Sequence, residues 1–254
     1  MISIITVTYN SSATLRDCLE SVKAQHGEVE HILIDGQSTD DTAQIVRGYP
    51  HVAKFVSEPD AGIYDAMNKG IAASSGDIIG ILNSDDMYLH PGVLEKVRKV
   101  FHDPGIDSCY GDLLYVDAAD TNIATRYWKS KPFRKNLFHW GWMPPHPTFF
   151  VRRSVYEKYG SFNLNLGSAA DYELMLRFLV KHDITTAYIP AILTKMRVGG
   201  VSNTSLKNRL TANQMDRKAW ETNGLKPYRL STYLKPLRKI MQFVYFDPKH
   251  ALGR

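Results

Sequence analysis

The sequence predicts an α/β fold: a mostly parallel central sheet flanked by helices, followed by a helical C-terminal extension. Three observations lead there. Short apolar, β-branched runs recur at residues 2–9, 29–34, 52–56 and 78–82. Between them lie stretches with apolar residues at helical spacing, and the short connections suit strand–helix units wound on both faces of a sheet. Each run also stops in polar residues, and the carboxyl ends of strands are where open α/β sheets bind ligands.

The first run ends in Thr8-Tyr9-Asn10. Ser11 or Ser12 is then placed to cap a helix with Leu15, Leu19 and Val22 on one face. The run 29–34 stops at Asp35-Gly36, and Ser38-Thr39-Asp40-Asp41 opens a second helix with a hydroxyl cap and acids in its first turn. Residues 52–56 lead into Glu58-Pro59-Asp60-Ala61-Gly62, before a helix that groups Ile63, Met67, Gly70 and Ile71. The run 78–82 is apolar on both sides, as inside a parallel sheet, and halts in Asn83-Ser84-Asp85-Asp86. Further on, the pattern predicts a helix over 92–101 and short strands at 107–110, 113–116 and 123–127, the last two a hairpin. It adds a strand at 148–151, a helix marked by Tyr172, Met175, Leu176 and Leu179, and a strand at 184–189. Residues 138–147, rich in Trp, Pro and His, fit no regular element.

At 254 residues, 44% hydrophobic and 22% charged, the composition is that of an ordinary globular chain without a membrane-spanning run. The strand-like N-terminus lacks the basic start of a signal peptide. Cys18 and Cys109 are far apart and in no metal-binding spacing, which suits a reducing cytoplasm. The net charge of +5 is unevenly spread. Residues 206–254 carry eleven Lys/Arg against three Asp/Glu, whereas residues 1–205 carry twenty against twenty-three. The boundary is therefore drawn at 205, between a mildly acidic domain (1–205) and a basic helical extension (206–254).

Asp35, the Glu58/Asp60 pair and Asp85-Asp86 all close strands on one edge, with Thr8-Tyr9-Asn10 on the fourth side. Gly36 and Gly62 permit close backbone approach, so the cluster reads as a site rather than three helix caps. Two adjacent carboxylates at Asp85 and Asp86 suit a divalent cation carrying a diphosphate; they also suit a cap for the helix near Pro91. On the helix after Gly62, Asp65, Asn68 and Lys69 share a polar face. It serves either as a ligand-facing surface or as an Asp65–Lys69 surface pair.

Taken in series, Thr6-Val7-Thr8-Tyr9-Asn10, Asp35-Gly36-Gln37-Ser38-Thr39-Asp40, the segment from Glu58 through Gly62 to Gly70, Leu82-Asn83-Ser84-Asp85-Asp86, His146-Pro147-Thr148-Phe149-Phe150 and Ala170-Asp171-Tyr172-Glu173-Leu174 resemble family 2 glycosyltransferases of the GT-A fold, particularly bacterial enzymes that build surface polysaccharides. The likeness spans about residues 1–205. It implies that Thr8, Tyr9, Asn10, Asp35, Asp60 and Gly62 line a nucleotide-sugar pocket with Asn68, Lys69, Asn83, Ser84, Asp85 and Asp86. Asn83-Ser84-Asp85 stands where the family carries D-x-D, with Asp85 as the ligand of Mn2+ or Mg2+. An Asp is usual at position 83, so one negative charge is missing. The likeness further implies that Asp171 is the base in an inverting transfer from a nucleotide-diphosphate sugar, UDP being favoured, to a hydroxyl of a glycan or lipid-linked acceptor.

The residues alone read Asp171 differently, as the third position of a capping box begun by Ser168. His146 either contacts acceptor or phosphate or bonds within its Pro-rich loop, and Arg197 offers phosphate a cation beside residues 199–202, which read either as a loop able to close over the donor or as an ordinary turn. Trp128, Trp140 and Trp142 are either sugar-stacking or core residues. Residues 233–246 combine bases with an apolar face, the profile of a helix at a lipid interface or of one packed on protein. This places the enzyme in the cytoplasm, at the inner membrane face where the acceptor is lipid-linked, with no nucleic-acid partner and with room for a homo-oligomer. Two rivals follow: a catalytically silent nucleotide-sugar binder, favoured by Asn83, and a sugar-phosphate nucleotidylyltransferase. The latter needs a Gly-rich phosphate loop that Tyr9-Asn10-Ser11-Ser12 does not supply.

Overall fold

A computed structural model describes residues 1–199 and 206–227. Four parallel strands form one half of the sheet: β1 (Ile2–Thr8), β2 (Val29–Asp35), β3 (Val52–Ser57) and β4 (Ile78–Ile81). The other half adds β5 (Met87–Tyr88), β6 (Ser108–Val116), β7 (Ala124–Trp128), β8 (Phe150–Arg152) and β9 (Thr186–Arg197). The order across the sheet is β3-β2-β1-β4-β8-β6-β9-β5, with β7 paired to β6. Beyond β4 the pairings are antiparallel except β6 with β9.

Alternation along β1 decides what each face holds. Ile5 and Val7 join Ile32 and Ile34 against Ala66, Met67 and Ile71 of α3 (Ile63–Ala73). Ile2 and Ile4 face the opposite way. There they meet Cys18 and Val22 of α1 (Leu15–Lys23) and Val93, Leu94 and Val97 of α4 (Val93–Phe101). Leu15 and Leu19 of α1 pack on Leu33 and on α2 (Thr42–Arg47). A fully buried Ile or Leu contributes about 1.5–3 kcal/mol, so these two layers of aliphatic residues hold the strand ends in place.

The expected strand–helix units are present, with instructive differences. Neither Ser11 nor Ser12 caps α1; the Ser11 carbonyl accepts from the N–H groups of Thr14 and Leu15 instead. Asp40, not Ser38 or Thr39, accepts from the Thr42 N–H where α2 begins. Ile63 does not join the apolar stripe of α3 and is 50% exposed. The two short strands expected around 107–116 are one, because Gly111 packs under Leu193 and Asp112 is held inside by Tyr127, Tyr188 and the Ser130 N–H. Opposite Gly111 the register of β9 shifts, and Pro190 falls in that irregularity, where a strand tolerates a missing N–H. The helix expected from Tyr172 is α7 (Ala170–Leu176), continued as a wider turn over Arg177–Lys181. Between β6 and α7 the chain forms the short α5 (Asn136–His139), a 3-10 turn at His146–Thr148 and α6 (Arg153–Tyr159), the last with only Val155 and Tyr156 buried.

The extension begins as α8 (Leu206–Thr222). Ala219 and Trp220 of α8 are buried, and the Trp220 indole N–H donates to the Tyr172 hydroxyl at 2.9 Å. Residues 200–202 of the loop expected to close over the donor, and the basic segment 233–246, lie outside the described residues.

Gly70 tests how closely α3 sits on the sheet. A Cβ there would fall 2.3 Å from Ile5 Cγ2, on a buried strand unable to give way. Ala gains about 1 kcal/mol over Gly in helix propensity, but overpacking of this kind costs about 1–3 kcal/mol. Gly70→Ala is therefore expected to lower the free energy of unfolding by up to about 2 kcal/mol in urea titration; a gain in stability would contradict the packing.

Candidate active site

The parallel strands put their carboxyl ends side by side, with Thr8 opposite Asp35 and Asp35 opposite Ser57. Asp35 is buried among donors: its Oδ1 accepts from Thr8 Oγ1 at 2.9 Å and from the Ser38 hydroxyl, its Oδ2 from Ser57 Oγ at 2.6 Å and the Ser38 N–H at 3.0 Å. Burial alone would raise its pKa, but these donors hold the carboxyl below the ordinary Asp value. Asp35 and Thr8 are thus occupied by the protein itself. Asn10 is in the left-handed region (φ 49°), its Oδ1 accepting from the Thr39 N–H at 2.9 Å.

What these bonds leave open is next to them. A Cβ on Gly36 would lie 2.5 Å from Asp60 Oδ2 and 3.4 Å from Tyr9 Cδ2, so Asp60, Gly36 and Tyr9 are contiguous and only glycine fits between. Asp60 Oδ1 accepts from the Gly62 N–H at 2.8 Å, where Gly62 (φ 110°) turns the chain into α3. Tyr9 is 67% exposed.

On the other side of β1, Ser84 Oγ lies 2.9 Å from Ser11 Oγ, which fastens the turn after β4 to the β1 loop. Asp85 and Asp86 then part company. The Asp85 carbonyl accepts from Arg197 Nη1 at 2.8 Å, while its carboxylate has no hydrogen bond or ion pair among the described residues. Asp86 turns inward and is fully buried; burial and then the charge of Asp85 push its carboxyl well above the ordinary range. Asn83 Nδ2 donates to Asp86 Oδ2 at 3.4 Å, leaving Asn83 Oδ1 and Asp86 Oδ1 buried with no hydrogen-bond partner among the described residues.

Asp171 lies beside α3: burial, and then its negative charge, raise the phenol of Tyr64, in the first turn after Gly62, far above its ordinary value, and His146 Nδ1 lies 3.3 Å from Asp171 Oδ2. Ser168 does not form the capping box that the sequence suggested: the cap position of α7 is Ala169, without a side-chain bond, and Asp171 Oδ1 accepts from the N–H of Tyr172 at 2.7 Å. His146 therefore faces a carboxylate rather than standing free.

Three expected site residues are occupied elsewhere. Asn68 clamps Phe162, donating to its carbonyl at 2.9 Å and accepting from its N–H at 2.8 Å. Lys69 pairs with Glu58 at 2.8 Å and donates to the Pro59 carbonyl. Arg197 is buried between the Asp85 carbonyl and Asp17. Trp142 is core and Trp140 is 47% exposed. Sequence reasoning overlooked Tyr64, although its i,i+4 spacing to Asn68 puts the two on one side of α3. It also overlooked Ser38 and Ser57, whose hydroxyls bond Asp35 only once the loops are folded.

Comparisons with known proteins bear on the family and the fold. The family model described as glycosyl transferase family 2 matches residues 3–160. An uncharacterised glycosyltransferase of Mycobacterium tuberculosis is 36% identical over 185 residues, covering 69% of this chain and 68% of that protein. A PGL/p-HBAD biosynthesis glycosyltransferase of Mycobacterium bovis is 31% identical over 218 residues, 80% of each chain. Among solved structures, residues 1–349 of TarS from S. aureus in complex with UDP-GlcNAc share the fold at a TM-score of 0.65 and 16% identity, over 84% of this chain and 65% of that one. The mannosyltransferase PcManGT from Pyrobaculum calidifontis, in complex with GDP-Man and Mn2+, does so at 0.63 and 16%, over 99% and 71%.

Asp35, with four donors aimed at it, is expected to matter first for stability. Asp35→Asn places an N–H₂ against hydroxyls already donating, at a cost of about 2–4 kcal/mol in urea unfolding at pH 7. Because the folded pKa is depressed, the contribution is fully present above about pH 4, the unfolded carboxyl value, and fades as pH falls through the folded one. The gap between wild type and Asp35→Asn should therefore narrow below about pH 4; a gap that widens on acidification would contradict the assignment.

Proposed function

The chain belongs to glycosyl transferase family 2, and on that premise we propose that it transfers a sugar, with inversion, from a nucleotide-diphosphate sugar to a hydroxyl of a glycan or lipid-linked acceptor, assisted by a divalent metal ion. The observation that carries this reading is the turn after β4, where Asp85 presents a carboxylate with no hydrogen-bond or ion-pair partner among the described residues while Arg197 pins its carbonyl.

The donor set fits a cation that keeps phosphate and water oxygens. Mg2+ or Mn2+ held in that manner needs only one or two protein carboxylates, and no cluster of three or more His, Cys, Asp or Glu forms a closed cage among the described residues. Asp85 is the ligand we assign, and Asn83 Oδ1, buried with no hydrogen-bond partner among the described residues, is a further oxygen in the same turn. When bound, the metal neutralises charge that grows on the departing diphosphate. Tyr9 and Asp60, contiguous across Gly36, border the place assigned to the nucleoside. Nucleotide-bearing fold neighbours include complexes with UDP-GlcNAc and with GDP-Man; we favour a uridine nucleotide for this chain.

In the transfer, the acceptor oxygen attacks the anomeric carbon as the carbon–oxygen bond to the diphosphate breaks, and the leaving group departs with the bonding electrons. Asp171 takes the proton of the attacking hydroxyl. No covalent enzyme intermediate forms, so configuration inverts. Relatives assigned to PGL/p-HBAD biosynthesis support a glycolipid or polysaccharide pathway. No helix among the described residues is long and apolar enough to cross a membrane, and we place the enzyme in the cytoplasm, reaching a lipid-linked acceptor from the membrane's inner face.

Thermal unfolding with a panel of nucleotide sugars tests the donor site. A uridine diphosphate sugar with Mn2+, at a hundred times its Kd, should add about 2.7 kcal/mol, which raises the Tm by about 5–10 °C. Asp85→Ala should remove the metal-dependent part. Asp171→Asn should keep the shift and lose transfer. Binding that persists in wild type without turnover of any acceptor would favour the silent binder instead.

A further inference from the structure

A carboxylate holds a divalent cation well only when the groups behind it fix its direction. Asp85 is held from behind by Arg197, and Arg197 is itself held by Asp17 of α1. We infer that Asp17 is a positioning residue for the metal-binding turn, acting through the buried guanidinium of Arg197 on the main chain of Asp85. This rests on the reading of Asp85 as the metal ligand.

Arg197 closes β9 and is 7% exposed. Its Nη1 donates to the Asp85 carbonyl at 2.8 Å and its Nη2 to Asp17 Oδ2, so one planar fork joins the turn to α1. Asp17 lies in the first turn of α1, where the helix dipole favours a negative charge. Ser21 Oγ, one turn on, accepts from the Tyr88 N–H at 3.2 Å. Gln25, one turn further, donates to the His90 carbonyl at 3.0 Å and accepts from the Leu94 N–H at 3.0 Å. Spacings of four put Asp17, Ser21 and Gln25 in one row. That row grips residues 85–94 at successive points, Ser21 and Gln25 directly and Asp17 through Arg197. The base of the row is rigid, because Cys18 and Val22 of α1 are buried on Ile2 and Ile4 of β1. Just ahead of Asp85, Ser84 Oγ is bonded to Ser11 Oγ. Asp85 is therefore aimed from both sides.

Charge gives Asp17 a second task. A guanidinium one carbonyl away from a metal ligand repels a divalent cation unless it is compensated. Asp17 supplies the opposite charge at the other end of the fork, so Arg197 orients the turn without adding net positive charge to it. Arg197 Nε is buried with no hydrogen-bond partner among the described residues, so the fork rests on its two Nη bonds.

Mn2+ binding in the presence of UDP, and separately of GDP, reads this directly, because the electron spin resonance signal of free Mn2+ broadens away when the ion binds protein. Asp17→Asn keeps an acceptor oxygen for Nη2 and removes the charge. It should raise the Mn2+ dissociation constant about tenfold or more, the range for groups that orient a metal's ligands. The Tm without metal or nucleotide should stay within about 2 °C of wild type, since the Asp17 side chain is 55% exposed and such ion pairs add little stability. Arg197→Lys keeps a charge but lacks the fork. Combined with Asp17→Asn, it should weaken Mn2+ binding no further than the stronger single change. A dissociation constant within about twofold of wild type in Asp17→Asn would overturn the inference, because orienting groups count for far more. So would two single effects that simply add, or a loss of affinity that comes only with a metal-free Tm lowered beyond about 2 °C. Asp85→Ala separates the two levels. If it binds Mn2+ as wild type does, the ligand assignment fails and takes this inference with it; if it loses Mn2+ while Asp17→Asn keeps it, only the positioning role fails.

Discussion

One buried carboxylate holds the carboxyl edge of the sheet together. Asp35 closes β2 and accepts from β1 through Thr8, from β3 through Ser57 and from its own loop through Ser38. Hydrogen bonds to a charged group contribute about 1.5–3 kcal/mol each, and leaving one unmade in a buried place costs about as much. Main-chain bonds reinforce the same seam: Gly36 N–H donates to the Thr8 carbonyl and Glu58 N–H to the Asp35 carbonyl. With the strand ends fixed, the β1 loop holds Asn10 in the left-handed region, which Asn tolerates better than most residues, its Oδ1 accepting from the Thr39 N–H. The glycine beside Asp35 then lets Asp60 lie on the backbone.

Much of this was legible in the sequence because strand ends are marked by abrupt changes of polarity. Runs such as Ile78-Ile79-Gly80-Ile81 followed by Asn83-Ser84-Asp85-Asp86 locate both the strand and the edge on which its polar residues fall. The helical stripe through Met67, Gly70 and Ile71 was equally plain, since all three are buried against the sheet. What the pattern does not encode is the partner of each polar group. Asp35 and Asp60 look alike in sequence, yet one is surrounded by hydroxyls and the other lies over a glycine. Asn68 reads as a ligand-facing amide until Phe162, ninety-four residues away, is brought to it. Pairing across such separations decides the antiparallel half of the sheet as well. The two-residue β5 has no signal of its own and exists only because β9 runs beside it.

The helix that carries Asp171 is set by its other faces. Tyr172, Glu173, Leu174, Met175 and Leu176 are all buried, which leaves the first turn no freedom to rotate. Glu173 would be costly to bury alone. Arg177 meets it with two bonds, at 2.9 and 3.1 Å, and Asn223 adds a third at 3.0 Å. Arg177 in turn caps the carbonyls of Gly160 and Ser161, just ahead of the Phe162 that α3 grips. The basic extension thus enters the domain's interior through Trp220 and Asn223, and the orientation of α7 depends on residues that the charge pattern assigned to a separate segment.

The missing charge at Asn83 has a local explanation of the same kind. Asp85 and Asp86 are adjacent, and two ionised carboxylates so placed repel one another unless one is neutralised. The fold separates them by burying Asp86, where desolvation favours its protonated form, and by leaving Asp85 outside. Asn83 donates to Asp86, an interaction no carboxylate at position 83 would supply without a proton of its own. An Asp there would set a third acidic group against Asp85 and Asp86, with Arg197 as the one cation bonded to this turn among the described residues and already shared with Asp17. The amide is therefore the residue that lets a buried Asp86 and a part-exposed Asp85 coexist, and the turn keeps one carboxylate held in place by its own carbonyl.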